Sequence, residues 1–390
     1  MGYNTPMKYR IFTTSEKAWD GMLQAISAAQ ESVYIEMYIL EDDEKGLAFF
    51  KELEIAARRG LHVILMLDII GSFSFKNVFV NEAADSLRAA GAEVIFVSSF
   101  FRRLHRKIFI IDETIAFVGG VNIGNKFAKW RDLQILVTGN VVQHILGSFV
   151  AVYRENGGEK EIKVSKVKNL SPYARVGVDG DGHGGRPKRQ SIVNRARLWF
   201  LDHRAGGNGE RGDIFGAYYA DRIKTAKKSI VLVTPYLLPP RWFIANLHQA
   251  MIRGVRVEIL LPVSTDHRFI NSLNHSYAAC LGDLGATIYF SEGMNHAKAM
   301  LVDADTPNGE GVIGSQNLDL LSFHVNLEAG LFFKDPEMVR ELAAILDEWK
   351  KQSVAYAPGA DISEWYEHII GFLLRLLGFL PFGYGSLRKN

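Results

Sequence analysis

The chain carries the same string of chemistry-bearing residues twice. His105, Lys107 and Asp112 are spaced His-x-Lys-x-x-x-x-Asp, and His296, Lys298 and Asp303 repeat that spacing 191 residues later. Both strings run through short apolar stretches, Ile108 to Ile111 and Ala299 to Val302, of the kind that forms strands. Both are followed by small residues and an amide, Gly119-Gly120-Val121-Asn122 and Gly314-Ser315-Gln316-Asn317. A single His and Lys on a strand edge usually point to solvent; two matching copies with matching sequels are hard to explain by chance. The flanks repeat as well. Gly254 lies 194 residues after Gly60, each before a Val-rich run, and Gly285 lies 194 after Gly91. Such a chain is an internal duplication of one α/β unit rather than a solenoid.

Within the first unit, periodicity predicts helices over 18–29, 46–59 and 81–90 and strands over 32–40, 60–68, 91–96 and 104–112. Alternation of this kind makes the fold class α/β, with the repeats carrying mixed sheets. On a strand, His105 and Lys107 leave the same face. Glu36 is the one acid in the apolar run 32–40, read either as functional or as an edge-facing carboxylate. The expected organisation is a first repeat over 1–157, a basic and Gly-rich connecting segment over 158–212, a second repeat over 213–352 opened by a helix over 213–227, and a tail over 353–390. With 390 residues the chain has room for two sizeable cores.

The tail residues 364–380 place Glu364, His368, Gly371 and Arg375 on one narrow polar stripe, the rest being mostly apolar. Too short and too polar to span a bilayer, this stretch is expected to be an amphipathic helix in the membrane interface, with Trp365 and Tyr366 at headgroup depth. Packing on its own core or a second subunit is the alternative. The N-terminus has no apolar signal region, which favours the cytoplasmic face. One cysteine, Cys280, excludes an internal disulfide. A net charge of +2 gives no bulk basic field for nucleic acid.

Two imidazoles and two ammonium groups meeting at one site suit phosphoryl transfer. One imidazole attacks phosphorus; the other protonates the leaving alcohol and deprotonates the incoming one. Lys107 and Lys298 hold phosphate oxygens as charge builds, and Asn122 and Asn317 are further hydrogen-bond donors. A nucleophilic histidine needs one nitrogen free, and a carboxylate on the other fixes that tautomer. Each half offers an acid on a later strand, Asp132 in the first and Glu328 in the second; the alternative for each is a surface acid or an ion-pair partner. No residue cluster has metal-ligand spacing, and the chemistry calls for no cofactor.

The paired motifs resemble the HKD signature of the phospholipase D superfamily, over most of the chain. The resemblance implies that both motifs meet at one site on a pseudo-twofold interface, that Asp112 and Asp303 support the motifs, that Asp132 and Glu328 orient the histidines, that His105 is the nucleophile and that His296 is the acid/base group. Within the superfamily the chain is similar to the bacterial cardiolipin synthases through Tyr34-Ile35-Glu36-Met37-Tyr38, Trp130-Arg131-Asp132, Thr234-Pro235-Tyr236 and Gly314-Ser315-Gln316-Asn317-Leu318-Asp319. It departs from them at Leu321, where Arg is expected before Ser322-Phe323, and is expected to resemble the shorter, peripherally bound forms rather than those synthases with an N-terminal pair of membrane helices. The resemblance implies a phosphatidyltransferase that joins two phosphatidylglycerols through a phosphohistidine. A hydrolytic phospholipase D, a nuclease of the superfamily and a non-catalytic membrane scaffold are the competing readings. Arg102, Arg103 and Arg106 are candidates to meet anionic headgroups, or a solvated loop.

Overall fold

A computed structural model describes residues 7–72, 81–97, 103–165, 197–203 and 214–356. The expected amphipathic helix over 364–380 and Arg102 lie outside the described residues.

The first half supplies β1 (Tyr9–Thr14), α1 (Ser15–Ala28), β2 (Ser32–Met37), α2 (Glu44–Arg58), β3 (His62–Asp68), α3 (Asn81–Ala89), β4 (Glu93–Val97), β5 (Ile108–Ile111), β6 (Ile115–Gly119), β7 (Arg131–Thr138) and α4 (Val141–Glu155). Its sheet runs β1-β7-β6-β5-β2-β3-β4. The βαβ part, β2, β3 and β4, is parallel, and the meander β5, β6, β7 is antiparallel.

The second half follows with β8 (Leu198–His203), α5 (Ile214–Thr225), β9 (Ser229–Val233), β10 (Leu237–Leu238), α6 (Arg241–Ile252), β11 (Arg256–Pro262), α7 (Arg268–Asp283), β12 (Thr287–Ser291), β13 (Ala299–Val302), β14 (Glu310–Gly314), β15 (Leu318–Asp319), α8 (Leu320–His324), β16 (Glu328–Phe333), α9 (Pro336–Lys351) and β17 (Ser353–Ala355). Its large sheet runs β17-β12-β11-β9-β13-β14-β16-β8. Strand for strand this is the first sheet with β17 added, so the duplication read from the sequence is a duplication of mixed sheets.

Side chains on the motif strands alternate between two cores, as period two requires. Ile108 and Ile110 join Ala299 and Leu301 in a core shared by both halves. Phe109 and Ile111 face the outer core under α1 and α2. Met300 and Val302 face the other outer core, under α5 and α6. α4 and α9 pack Leu146, Phe149, Leu342 and Trp349 into the shared core, which cements the two sheets. Local signals set the helix starts: Asp43 caps α2, and Asp335 caps α9 with Pro336 in its first turn.

Three elements depart from the sequence reading. β8 falls within the segment read as a connection and pairs along β16; its Leu-Trp-Phe-Leu core is a good strand that charged and Gly-rich neighbours disguise. β17, read as the start of the tail, adds to the edge of β12. The strand of the first motif is shorter than expected: His105 and Lys107 precede β5 instead of lying in it, and only Leu104 makes a bridge, to Leu327 of the second half.

Candidate active site

The motif aspartates lie outside the site and hold the backbone that forms it. Asp112 follows β5 with φ +48°, and its carboxylate accepts the backbone N–H groups of Gln30, Glu31 and Ser32. Asp303 follows β13 with φ +50° and accepts those of Lys227, Lys228 and Ser229. Each ties its motif strand to the strand beside it, and Asp tolerates the left-handed turn this needs.

Across the interface the halves are stitched by backbone. His105 N–H donates to Leu327 O at 3.0 Å, and Leu327 N–H donates to Arg103 O at 2.8 Å. Symmetrically, His296 N–H donates to Arg131 O at 2.7 Å, and Arg131 N–H to Met294 O at 3.0 Å. Leu327 and Arg131 immediately precede the two candidate acids. That register decides their partners. Glu328 lies 3.0 Å from His105 Nδ1, and Asp132 Oδ2 lies 2.7 Å from His296 Nδ1. Each acid therefore crosses to the histidine of the other half. A strand leaving the twofold interface points its first side chain across the interface, not back to its own motif.

A carboxylate can only accept, so each Nδ1 carries the proton and each Nε2 keeps a lone pair. Both acids are buried, at 0 and 1 % exposure. Burial would raise their carboxyls, but the facing imidazoles and the nearby ammonium groups hold both below the usual range. Glu328 also accepts the hydroxyl of Ser315, and Asp132 the N–H of Leu133 at 2.7 Å. Gly120 touches the latter acid: a Cβ there would collide with Asp132 Oδ1 and crowd Lys298.

Lys107 and Lys298 are buried and donate to the backbone oxygens of His105 and His296 respectively. Lys107 also sits 4.8 Å over the Tyr38 ring. Burial, with mutual repulsion for Lys107, lowers their ammonium groups to about 7 and about 8. Burial and Lys298 push His296 down to about 4, and burial lowers His105 too. Without an anion between them, the four groups therefore favour neutral imidazoles and weakly held ammonium protons.

His105 and His296 line one pocket of about 520 Å³, with Asn122, Asn317, Arg103 and Asn326 also in its wall. Tyr38 lies edge-on to His105, ring centres 4.6 Å apart; Trp130 lies 5.2 Å and Tyr236 6.3 Å from His296. Leu320 and Leu321 line the same pocket and are 40 and 59 % exposed, giving it an apolar mouth. Leu321 stands where a cation was expected.

Two readings fail. Arg106 is not at a headgroup surface; it is fully buried, with Nε 2.8 Å from Glu36 and Nη1 3.8 Å from Asp202. Glu36, likewise fully buried, is on β2 in the middle of the sheet rather than at an edge. A lone acid within an apolar run, and an arginine inside a buried motif, were the signals that they belong together. Asp266 and Tyr236 in the pocket wall had no sequence signal that set them apart as a pair.

The profile of a family described as "Cardiolipin synthase, PLD-like domain" matches residues 22–149 and 219–349. A cardiolipin synthase of Geobacillus sp. (strain WCH70) is 29% identical over 362 residues, covering 88% of this chain and 66% of the relative. That of Geobacillus thermodenitrificans (strain NG80-2) is 30% identical over 339 residues, covering 83% and 62%. The chain thus spans a little under two thirds of the length of these curated relatives. Among solved structures, phosphatidylserine synthase of Haemophilus influenzae Rd KW20 superposes with a TM-score of 0.70 at 15% identity, covering 97% of this chain and 96% of the other. Polyphosphate kinase of Porphyromonas gingivalis gives 0.57 at 16% identity, covering 95% and 55%. At such identities these two likenesses concern the fold.

Proposed function

The chain belongs to the cardiolipin synthase-type, phospholipase D-like family, and from that premise we propose that it is a phosphatidyltransferase joining two phosphatidylglycerols into cardiolipin and glycerol. The observation that carries this reading is the crossed arrangement: two histidines, each oriented by a buried acid of the opposite half, line one apolar-mouthed pocket, with Lys107 and Lys298 buried two residues along the chain from them.

His105 Nε2 attacks the phosphorus of the first lipid. The N–P bond forms, the P–O bond to the glycerol headgroup breaks, and His296 gives its Nε2 proton to the leaving oxygen. The bound phosphodiester anion, held by Lys107 and Lys298, offsets the burial and the Lys298 repulsion that keep His296 deprotonated in the empty pocket, so the proton arrives with the substrate. A hydroxyl of the second lipid then loses its proton to His296 and attacks phosphorus, and the N–P bond breaks. Asn122 and Asn317 bond the phosphoryl oxygens, while Asp112 and Asp303 keep the motif backbone in place. The mouth formed by Leu320 and Leu321 suits acyl chains that remain outside.

The functional units are a first repeat over 1–157 and a second over 213–352, with 158–212 between them. Attachment is peripheral, through the tail over 353–390, on the cytoplasmic face. No helix among the described residues is long and apolar enough to cross a membrane. Nucleic acid is not a substrate.

The test is incubation of purified protein with phosphatidylglycerol vesicles, the lipids read by mass spectrometry. Cardiolipin and free glycerol are expected, and both are lost in His105→Ala and in His296→Ala. Phosphatidic acid as the sole product would replace the transferase by a hydrolase.

A further inference from the structure

We propose that Asp266 and Asp319, beside Tyr236, form a subsite for the vicinal diol of a glycerol headgroup on the His296 side of the pocket. The proposal rests on the transferase reading above and adds which chemical group faces the acid/base histidine.

Asp266 and Asp319 line the pocket, with His267 Nε2 3.7 Å from Asp266 Oδ2. Tyr236 ties Asp266 to the chemistry: its hydroxyl donates to Asp266 Oδ1 at 2.7 Å, and its ring centre is 6.3 Å from that of His296. Asp319 is held by the N–H of Ser322, which donates to Oδ1 at 2.7 Å. Both carboxylates act on the Lys298 ammonium.

A second observation points to a ligand. Asn122 and Asn317, 3 and 4 % exposed, line the same pocket with side-chain oxygens that have no hydrogen-bond partner among the described residues. A buried acceptor left unbonded is costly, and most are satisfied. Two carboxylates and two amide oxygens give the pocket a surplus of acceptors, and what matches them is a ligand rich in donors. A second phosphate would be repelled. A simple alcohol offers one O–H. The free end of a phosphatidylglycerol headgroup offers two, adjacent and uncharged, with hydrogen bonds to a charged acceptor among the strong ones.

Place and reaction agree. The alcohol that leaves, and the one that enters, must lie within hydrogen-bond reach of His296. With one hydroxyl of the diol held by the carboxylates and keeping its proton, its neighbour is turned to His296, loses its proton there and attacks phosphorus.

The experiment offers the full-length protein, with phosphatidylglycerol vesicles, an equimolar mixture of 1,2-propanediol and 1-propanol, and reads the two phosphatidyl alcohols by mass spectrometry. Asp266→Ala tests the more exposed acid, and Asp319→Asn removes the charge while keeping a residue that caps α8. The ratio of diol to monoalcohol product is expected to fall about tenfold in each, the loss of roughly one such hydrogen bond. A wild-type ratio that the variants leave unchanged overturns the subsite while the transferase stands. If the wild type transfers to neither alcohol nor to a second phosphatidylglycerol, the transferase reading and the subsite fall together. If, in a parallel incubation with ethanolamine as acceptor, the variants lose transfer to it but keep the diol ratio, the acids take a cation, and the diol assignment is wrong.

Discussion

Asp132 and Glu328 occupy equivalent places, on β7 and β16, yet each is built into its half by a different device. The shorter acid stands against Gly120, whose missing side chain leaves room for the carboxylate and the Lys298 stem. The longer acid stands against Ser315, the residue equivalent to Gly120, and takes its hydroxyl as a further donor. The interior of the motifs differs too. Arg106 lies buried between His105 and Lys107 and pairs with Glu36, whereas Ala297 fills the matching place in the second motif. What the halves share is the apparatus that positions histidine, lysine and backbone. What they do not share is how each acid is supported and which groups face the substrate. A duplicated fold can thus keep one chemistry twofold while giving its two histidines different surroundings.

The comparison breaks first at the histidines. His105→Ala and His296→Ala should each lower the rate of phosphatidyl transfer by roughly 10⁴-fold or more, because residues acting as a unit fail together. A variant of either retaining a tenth of the wild-type rate would mean that the motifs are not jointly required. Next come the crossed acids. Glu328→Gln and Asp132→Asn should cost roughly 10²- to 10⁴-fold in kcat by releasing the tautomer of the histidine across the interface. Nitrogen-15 shifts of the ring nitrogens should change at His296 in Asp132→Asn and at His105 in Glu328→Gln. The opposite assignment would undo the crossing.

Arg106 sharpens the contrast between the motifs through stability. Arg106→Ala leaves Glu36 charged and buried, and about 3–5 kcal/mol of unfolding free energy should be lost in denaturant titration. Replacing the pair together, Arg106→Met with Glu36→Leu, should recover most of it. A single variant as stable as wild type would show the pair to be idle.

Next in size is the pH dependence of the ligand-free protein. Unfolded lysines keep their protons to about pH 10.5, whereas Lys107 and Lys298 release theirs near 7 and 8 in the fold. The unfolded state therefore binds more protons across that window, and stability should rise with pH from about 7 toward 10.5. His296 contributes a rise from about 4 to 6.5, which Asp319, its carboxyl raised by burial to about 6, opposes between about 4 and 6. Thermal unfolding in phosphate-free buffer should show the upper rise reduced in Lys107→Met. A profile that falls between pH 7 and 9 would contradict it. Smallest is Leu321→Arg, which places a cation at the exposed mouth: stability should stay within about 0.5 kcal/mol of wild type, with a few-fold shift of KM for anionic vesicles.

Much of this was legible in the order of residues. The duplicated motifs, the Gly60 and Gly254 turns and the alternating apolar runs carry the α/β duplication, and profile matches over 22–149 and 219–349 agree with it. The candidate acids were visible as acids near a strand start. Their crossing was not, because it depends on Arg131 meeting Met294 and Leu327 meeting Arg103, contacts that no spacing within one half encodes. β8 was hidden by its neighbours, since composition averaged over a window outweighs a short strong strand. Tyr236 and Asp266 lie 30 residues apart and become partners only when α7 packs by the pocket.

The crossing has a consequence for heredity. A substitution at residue 328 is felt at His105, and one at residue 132 is felt at His296. Selection on one copy of the repeat is therefore exercised through the other. Neither copy is a spare that can decay or take on new work while its twin keeps the old one.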